Sequence, residues 1–390
     1  MSVPFLKLVR LEGAQLAAML AIEPAHARRE AFERAVPGAL GAACFGDPAR
    51  WARLADALPH LPLAPAYMAR IAPAAAPAYE RDSGNTCFEI WQCDAVDLAN
   101  GRHGSLHYRF SESAGIVFGS IEVYEADFSL PPANGQTPLE HATYAAYEAI
   151  FSVLDALEMR HPLRIWNVVP AINAHQFGSE RYRQFNTGRQ RAFKACGRPV
   201  IDSVPAASAL GCAAEIVGDG APAVPLAVSF LASRSPSRPI ENPRQISAYR
   251  YPAQYGPSAP TFARAAAWRG PAHADMAQAL FVSGTASIVG HETAHRGDVI
   301  AQLRETLVNI ETVLGEAARE TLGITTLADL TYKVYVRDPT DARALAAIDE
   351  ILRARCGSSL RALYLHADVC RADLLLEIEA SGGHPVEVLA

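Results

Sequence analysis

The order strand–helix–strand–helix–strand–strand occurs twice in this chain of 390 residues, about 160 residues apart, and few folds accommodate it. In the first half, GIVFGSIEVYEADF is a strand by its branched and aromatic content. TPLEHATYAAYEAIFSVLDALE follows as a helix, with Ala146, Ile150, Val153 and Leu157 at helical spacing. RIWNVVP is a strand, SERYRQFNTGRQRAFKA a helix, and CAAEIVGDGAPAVPLAVSFLA two strands around a Gly-Asp-Gly turn. The second half repeats the order with ALFVSGTASIVG, DVIAQLRETLVNIETVLGEA, LTYKVYVRD, DARALAAIDEILRAR, LRALYLHADVC and ADLLLEIEASG. In its first helix, Ile300, Leu303, Leu307, Ile310 and Leu314 share one face. Two α+β modules are therefore expected, each a sheet with helices on one face and a ligand cleft between them.

The division falls at 1–235 and 236–390, and the Pro/Ser/Arg-rich stretch Ser233–Gln245 is the expected linker. CFEIWQCDAV and SLHYRFSES add strands to the first module. Residues 1–80, rich in Ala, Pro and Leu, show no strand pattern and are expected to form a helical and irregular extension.

The formal charge is −6, which gives no global reason to expect nucleic acid or an anionic membrane. An anionic ligand needs a local basic pocket. Seven cysteines without a Cys-x-x-Cys pair argue against a disulfide framework or structural zinc site. Glu12 and Gln15 interrupt the first apolar run, so no signal peptide is expected, nor does any run of about 20 apolar residues suggest a spanning helix. A cytoplasmic protein is the expectation.

GHETAHRGD, Gly290–Asp298, fits the zinc-protease pattern H-E-x-x-H. That chemistry needs His291 and His295 on one helical face. Gly290 and Gly297 flank them instead, and Asp298 is placed to cap the next helix. A turn is expected, with no metal, and with Glu292 either near the cleft or only in the turn.

Three segments carry candidate chemistry. Glu180–Arg198 holds five Arg and one Lys, with Tyr182 and Arg189 two helical turns apart on one face, suited to a carboxylate. The irregular loop Asn242–Phe262 offers Tyr249 and Arg250. In CRADLLLEIEA, Glu377 alternates with Leu376 and Ile378, so it leaves the apolar face; near a cleft its pKa would rise and it could act as a general acid.

Taken together, LFVSGTASIVG, GDVIAQLRETLVNIETVL, KVYVRD and LLLEIEA resemble the YjgF/RutC family, related in fold to the trimeric chorismate mutases. RIWNVVPAIN, ERYRQFNTGRQRAF, NPRQISAYRYPAQYGP, FVSGTASIVGHE and HADVCRADLLLEIEA are similar to the chorismatases, from about residue 85 onward. The resemblance implies two YjgF-like modules, the first degenerate, acting on chorismate. It implies Glu377 as the acid that protonates the enolpyruvyl methylene. Tyr182 and Arg189 would hold a carboxylate, with Tyr249, Ser283, Gly284, Ala286 and Arg371 as further substrate contacts. Cys370, seven residues before Glu377, resembles the subclass forming 3-hydroxybenzoate, with 4-hydroxybenzoate as an allowed second product, plus pyruvate. No cofactor is implied, and a monomer is favoured because two modules in one chain can form a site that single-module trimers build between subunits. The alternatives are a hydrolytic chorismatase giving a dihydroxycyclohexadiene carboxylate, an enamine/imine hydrolase, and a non-catalytic binder of an aromatic carboxylate.

Overall fold

A strand packed on both faces reads as a continuous apolar run. Ala206–Cys212 and Leu226–Ser233 are such strands, buried at every residue. The computed structural model describes residues 5–72, 86–128, 135–270, 278–319, 324 and 326–390.

The duplication is present in the topology. The first large sheet uses Leu98–His103, Leu106–Ser111, Ile116–Val123, His161–Pro170, Ala206–Cys212 and Leu226–Ser233, which lie in the order 1-2-3-6-4-5. The second uses Ser237–Ile240, Ala265–Arg269, Gln278–Thr285, Leu330–Val336, Ala362–His366 and Leu376–Gly382 in the same order. In both, the fourth and fifth strands are parallel and the sixth is antiparallel to its two neighbours. Helices Pro138–Ala156 and Arg181–Ala195 cover the outer face of the first sheet, and Val299–Ala318 and Ala342–Cys356 that of the second.

The described residues between 5 and 93 differ from the expected helical layer. Leu6–Leu11, Ala39–Phe45, Leu63–Pro65 and Cys87–Cys93 build a third sheet, backed by Gly13–Ala21, Ala25–Ala35 and Pro48–Ala57. Its strands repeat the inner order of the other two: Cys87–Cys93 lies between Leu6–Leu11 and Ala39–Phe45 and is antiparallel to both, and Leu63–Pro65 is parallel to Ala39–Phe45. CFEIWQC thus belongs to this sheet. Each sheet also takes an edge strand from elsewhere: Asp368–Val369 joins the first, Arg70–Ile71 the second and Val386–Leu389 the third.

Two more expectations shift. The linker contains the strand Ser237–Ile240, tolerant of Pro239 because it lies at a sheet edge. CAAEIV is not a strand; pairing ends at Cys212.

The inner faces of the three sheets meet. One shared cluster includes Leu8, Leu40 and Trp91 of the third sheet, Phe118 and Leu163 of the first, and Trp268 and Phe281 of the second. Trp91 lies 6.5 Å from Trp166 and 5.7 Å from Phe281, centroid to centroid. Burying each such side chain contributes about 1.5–3 kcal/mol. Beside it runs a buried chain of charges crossing all three sheets. Arg10 Nε donates to Glu89 (3.0 Å), Lys333 Nζ bridges Glu89 and Glu379 (both 2.7 Å), and Arg164 Nη2 donates to Glu379 (2.5 Å). Such charges are tolerated in an interior only when paired in this way.

Candidate active site

The helix Arg181–Ala195 is held close to Pro138–Ala156 through Gly188, where a Cβ would overlap the Glu140 carbonyl oxygen. This fixes which residues look inward. Arg181 is buried against Glu125 and is structural; Arg191 stacks on Tyr144 and Arg198 on Phe151. Tyr182, Arg183 and Arg189 turn toward the second sheet.

They line a cavity between the first and second sheets that is partly open to solvent. The opposite wall carries Gly284, Ala286, Cys370, Arg371 and Glu377, so the structure gathers seven of the nine expected residues. Two expected residues do not line it. Ser283 is consumed in a tie between modules, its Oγ donating to Ala263 O (2.6 Å) and accepting from Ala207 N (2.9 Å). Tyr249 sits in the short 3-10 turn Ala248–Arg250 beside Arg250, which is exposed and pairs with Asp202. Tyr251 and Tyr255, two and six residues on, face the cavity instead.

Arg264, which sequence reasoning missed, also lines it. It is buried, donating through Nη2 to Ile246 O and Tyr251 Oη (both 2.8 Å). Its place in FARAAAW gave no local signal, because nothing there shows which strand will lie opposite. Arg371 lies 4.2 Å and 5.2 Å from the ring centroids of Tyr255 and Tyr251, and its Nη1 donates to His291 O (2.8 Å).

The guanidinium groups are incompletely satisfied. Among the described residues, Arg189 Nε, Arg264 Nε and Arg371 Nη2 are buried without a hydrogen-bond partner. A buried unsatisfied donor costs about 1–3 kcal/mol, more when charged, and such groups in one cavity mark a site for an anionic ligand. Arg189 comes from one module, Arg264 and Arg371 from the other. The cavity can therefore grip an anion at each side.

Glu377 lines the same cavity from the inner face of Leu376–Gly382, opposite Leu376 and Ile378 as its alternation predicts. A bulge in the neighbouring strand, between Val282 and Thr285, opens space for it. A Cβ at Gly284 would overlap Glu377 Oε1, so any side chain there would displace that carboxyl. Among the described residues its carboxyl has no hydrogen-bond partner. Burial, and secondly the carboxylate of Glu379, push it up to about 8, against the pull of Arg164 and Arg264. Burial alone would raise Glu379 as well, but Lys333 and Arg164 hold it down to about 2. Two carboxyls two residues apart thus differ in protonation, the pattern that marks an acid beside a fixed charge. Burial pushes the Cys370 thiol up to about 12, so it is neutral.

His291 and Glu292 lie in the hairpin Ile288–Val289/Glu292–Thr293, and His295 follows it in a left-handed backbone conformation. This is the expected turn, with Asp298 capping the next helix. Glu292 is exposed and does not line the cavity. Among the described residues no cluster of three His, Cys, Asp or Glu is placed to hold a metal. All seven cysteines are free, and no described helix is long and apolar enough to cross a membrane.

Three similar sheets with helices outside, and an arginine-lined cavity facing a neutral carboxyl, define a protein suited to bind a small anionic molecule. The family model described as "Chorismatase FkbO/Hyg5-like, N-terminal" matches residues 89–232. A 3-hydroxybenzoate synthase of Streptomyces hygroscopicus is 39% identical over 75% of this chain and 80% of its own. A chorismatase of Streptomyces rapamycinicus is 40% identical over 61% of this chain and 68% of its own. A chorismatase crystal structure overlays on 98% of this chain and 99% of its own, with TM-score 0.72 and 25% identity. The chain belongs to the chorismatase family.

Proposed function

We propose that this protein cleaves chorismate into 3-hydroxybenzoate and pyruvate. The observation that carries the reading is the neutral Glu377 in a cavity with unsatisfied guanidinium donors from both modules. Chorismate has two carboxylates and, between them, an enol ether that breaks on protonation. Arg189, with Tyr182, takes one carboxylate; Arg264 and Arg371, aligned by Tyr251 and Tyr255, take the other. Glu377 delivers its proton to the enolpyruvyl methylene, and the resulting oxocarbenium ion weakens the ring–oxygen bond. The neighbouring ring hydroxyl oxygen bonds to the ring carbon that bore the ether as that carbon–oxygen bond breaks, expelling pyruvate in its keto form and giving a protonated arene-oxide-like species. Loss of a ring proton restores aromaticity and returns a proton to the site. The atoms of the two products sum to those of chorismate, so the route is redox-neutral and consumes no water.

Cys370, neutral and half-buried at the cavity wall, supports the aromatic product by occupying space that water would need for hydrolytic interception. The similarity to a protein named 3-hydroxybenzoate synthase supports the same product. With three sheets and the cavity supplied by one chain, a monomer suffices as the working unit. The test is incubation with chorismate and chromatographic separation of 3-hydroxybenzoate, 4-hydroxybenzoate and the dihydrodiol. Absence of chorismate consumption refutes the reading. Glu377→Gln is expected to lower kcat by about 10²–10⁴-fold, the contribution of a general acid.

A further inference from the structure

We propose that Glu379 is a positioning residue for this reaction: a fixed carboxylate that makes its neighbour Glu377 the proton carrier, and that is itself anchored by the buried ion chain starting in the N-terminal sheet. The inference rests on Glu377 as the acid and goes beyond it, since Glu379 does not line the cavity.

The geometry separates two residues that the strand pleat places side by side. Glu379 is saturated: Arg164 Nη2 (2.5 Å), Lys333 Nζ (2.7 Å), Trp166 Nε1 (3.0 Å) and Ser208 Oγ (3.1 Å) all donate to it. Arg164, Ser208 and Lys333 are each also held by another partner. Arg164 Nη2 also donates to Ser208 Oγ (2.9 Å). Lys333 is shared with Glu89, which is held by Arg10, whose Nη2 donates to Thr331 Oγ1 and Tyr332 O (both 3.1 Å). Glu377 receives none of these bonds.

With four donors, Glu379 stays ionised and cannot accept the shared proton; a second negative charge beside it is disfavoured. The charged and titratable groups packed around the pair are Arg164 from the first sheet, Lys333 and Tyr335 from the adjoining strand, and Arg264 and Cys370 at the cavity. Arg189 and Tyr182 face it from the helix, and Arg10 and Glu89 from the third sheet. Of these, Arg164 and Arg264 favour ionised Glu377, and Glu379 opposes them. The third sheet therefore serves the chemistry. Without Glu89, Lys333 has one carboxylate fewer to share its charge.

Glu379→Gln tests this. The alkaline limb of kcat/KM for chorismate should move to lower pH by about one unit, as expected for removing a neighbouring charge, with KM little changed. Because that variant leaves Arg164 and Lys333 unbalanced and could fail to fold, Lys333→Met/Glu379→Gln is measured beside it. Its limb should fall between the parent and the single variant, an order that a merely structural role does not produce. The infrared band of protonated Glu377, assigned by its loss in Glu377→Gln, reports the same shift without turnover. Limbs and bands that coincide in all three proteins overturn the inference. If Glu377→Gln retains activity, it is the assignment of the acid that fails, and the infrared titration still decides whether Glu379 controls the proton.

Discussion

A carboxylic acid donates only while protonated, so the environment of Glu377 fixes the pH range in which this chain can work. Its ordinary value is 4.5, and burial first, Glu379 second, push it up to about 8. At pH 7 an ordinary carboxyl would be protonated to about 0.3%, whereas one near 8 is protonated to about 90%, an advantage of about 300-fold in available acid. Because the pKa is raised and the protonated form is active, activity is held on the acid side and lost as pH rises. The expected profile of kcat/KM is level from about pH 6 to 7 and falls tenfold per unit above about 8. The assay follows chorismate consumption between pH 5 and 10 at constant ionic strength, under subsaturating substrate, with stability checked at each pH. A rate that holds level to pH 10, or that already falls tenfold per unit near pH 5, refutes the argument that an unpaired, buried Glu377 is the proton source.

Arg264→Met removes a buried guanidinium with a free Nε, and KM should rise about 10–100-fold, the scale of one charge-assisted hydrogen bond, in steady-state kinetics. Tyr251→Phe loses the hydroxyl that accepts from Arg264 and should raise KM several-fold, whereas Tyr249→Phe should leave both constants within about twofold, since Tyr249 lies off the cavity wall. Cys370→Ala frees space approaching that of one water, about 30 Å³, and should divert part of the product to the dihydrodiol, read by chromatography and by uptake of label from ¹⁸O-water. Gly284→Ala should lower kcat far more than it changes the melting temperature, because its Cβ displaces the Glu377 carboxyl.

The local sequence determined the pieces whose environment is set by their own periodicity. The repeated strand–helix order, the inward Glu377, the shared face of Tyr182 and Arg189, and the turn at GHETAHRGD all follow from spacings of two to seven residues. The third sheet was illegible because ALGAACF is alanine-rich and, buried on both faces, loses its alternation, while LAP is only three residues long. Tyr251 could not be told from Tyr249, since an irregular loop has no period and a single 3-10 turn decides which ring faces inward. Arg264 and the ion chain Arg10–Glu89–Lys333–Glu379–Arg164 depend on residues up to several hundred positions apart. Only the packing of three sheets brings them together, and only that packing removes the water that would otherwise leave Glu377 and Glu379 two ordinary, ionised carboxylates.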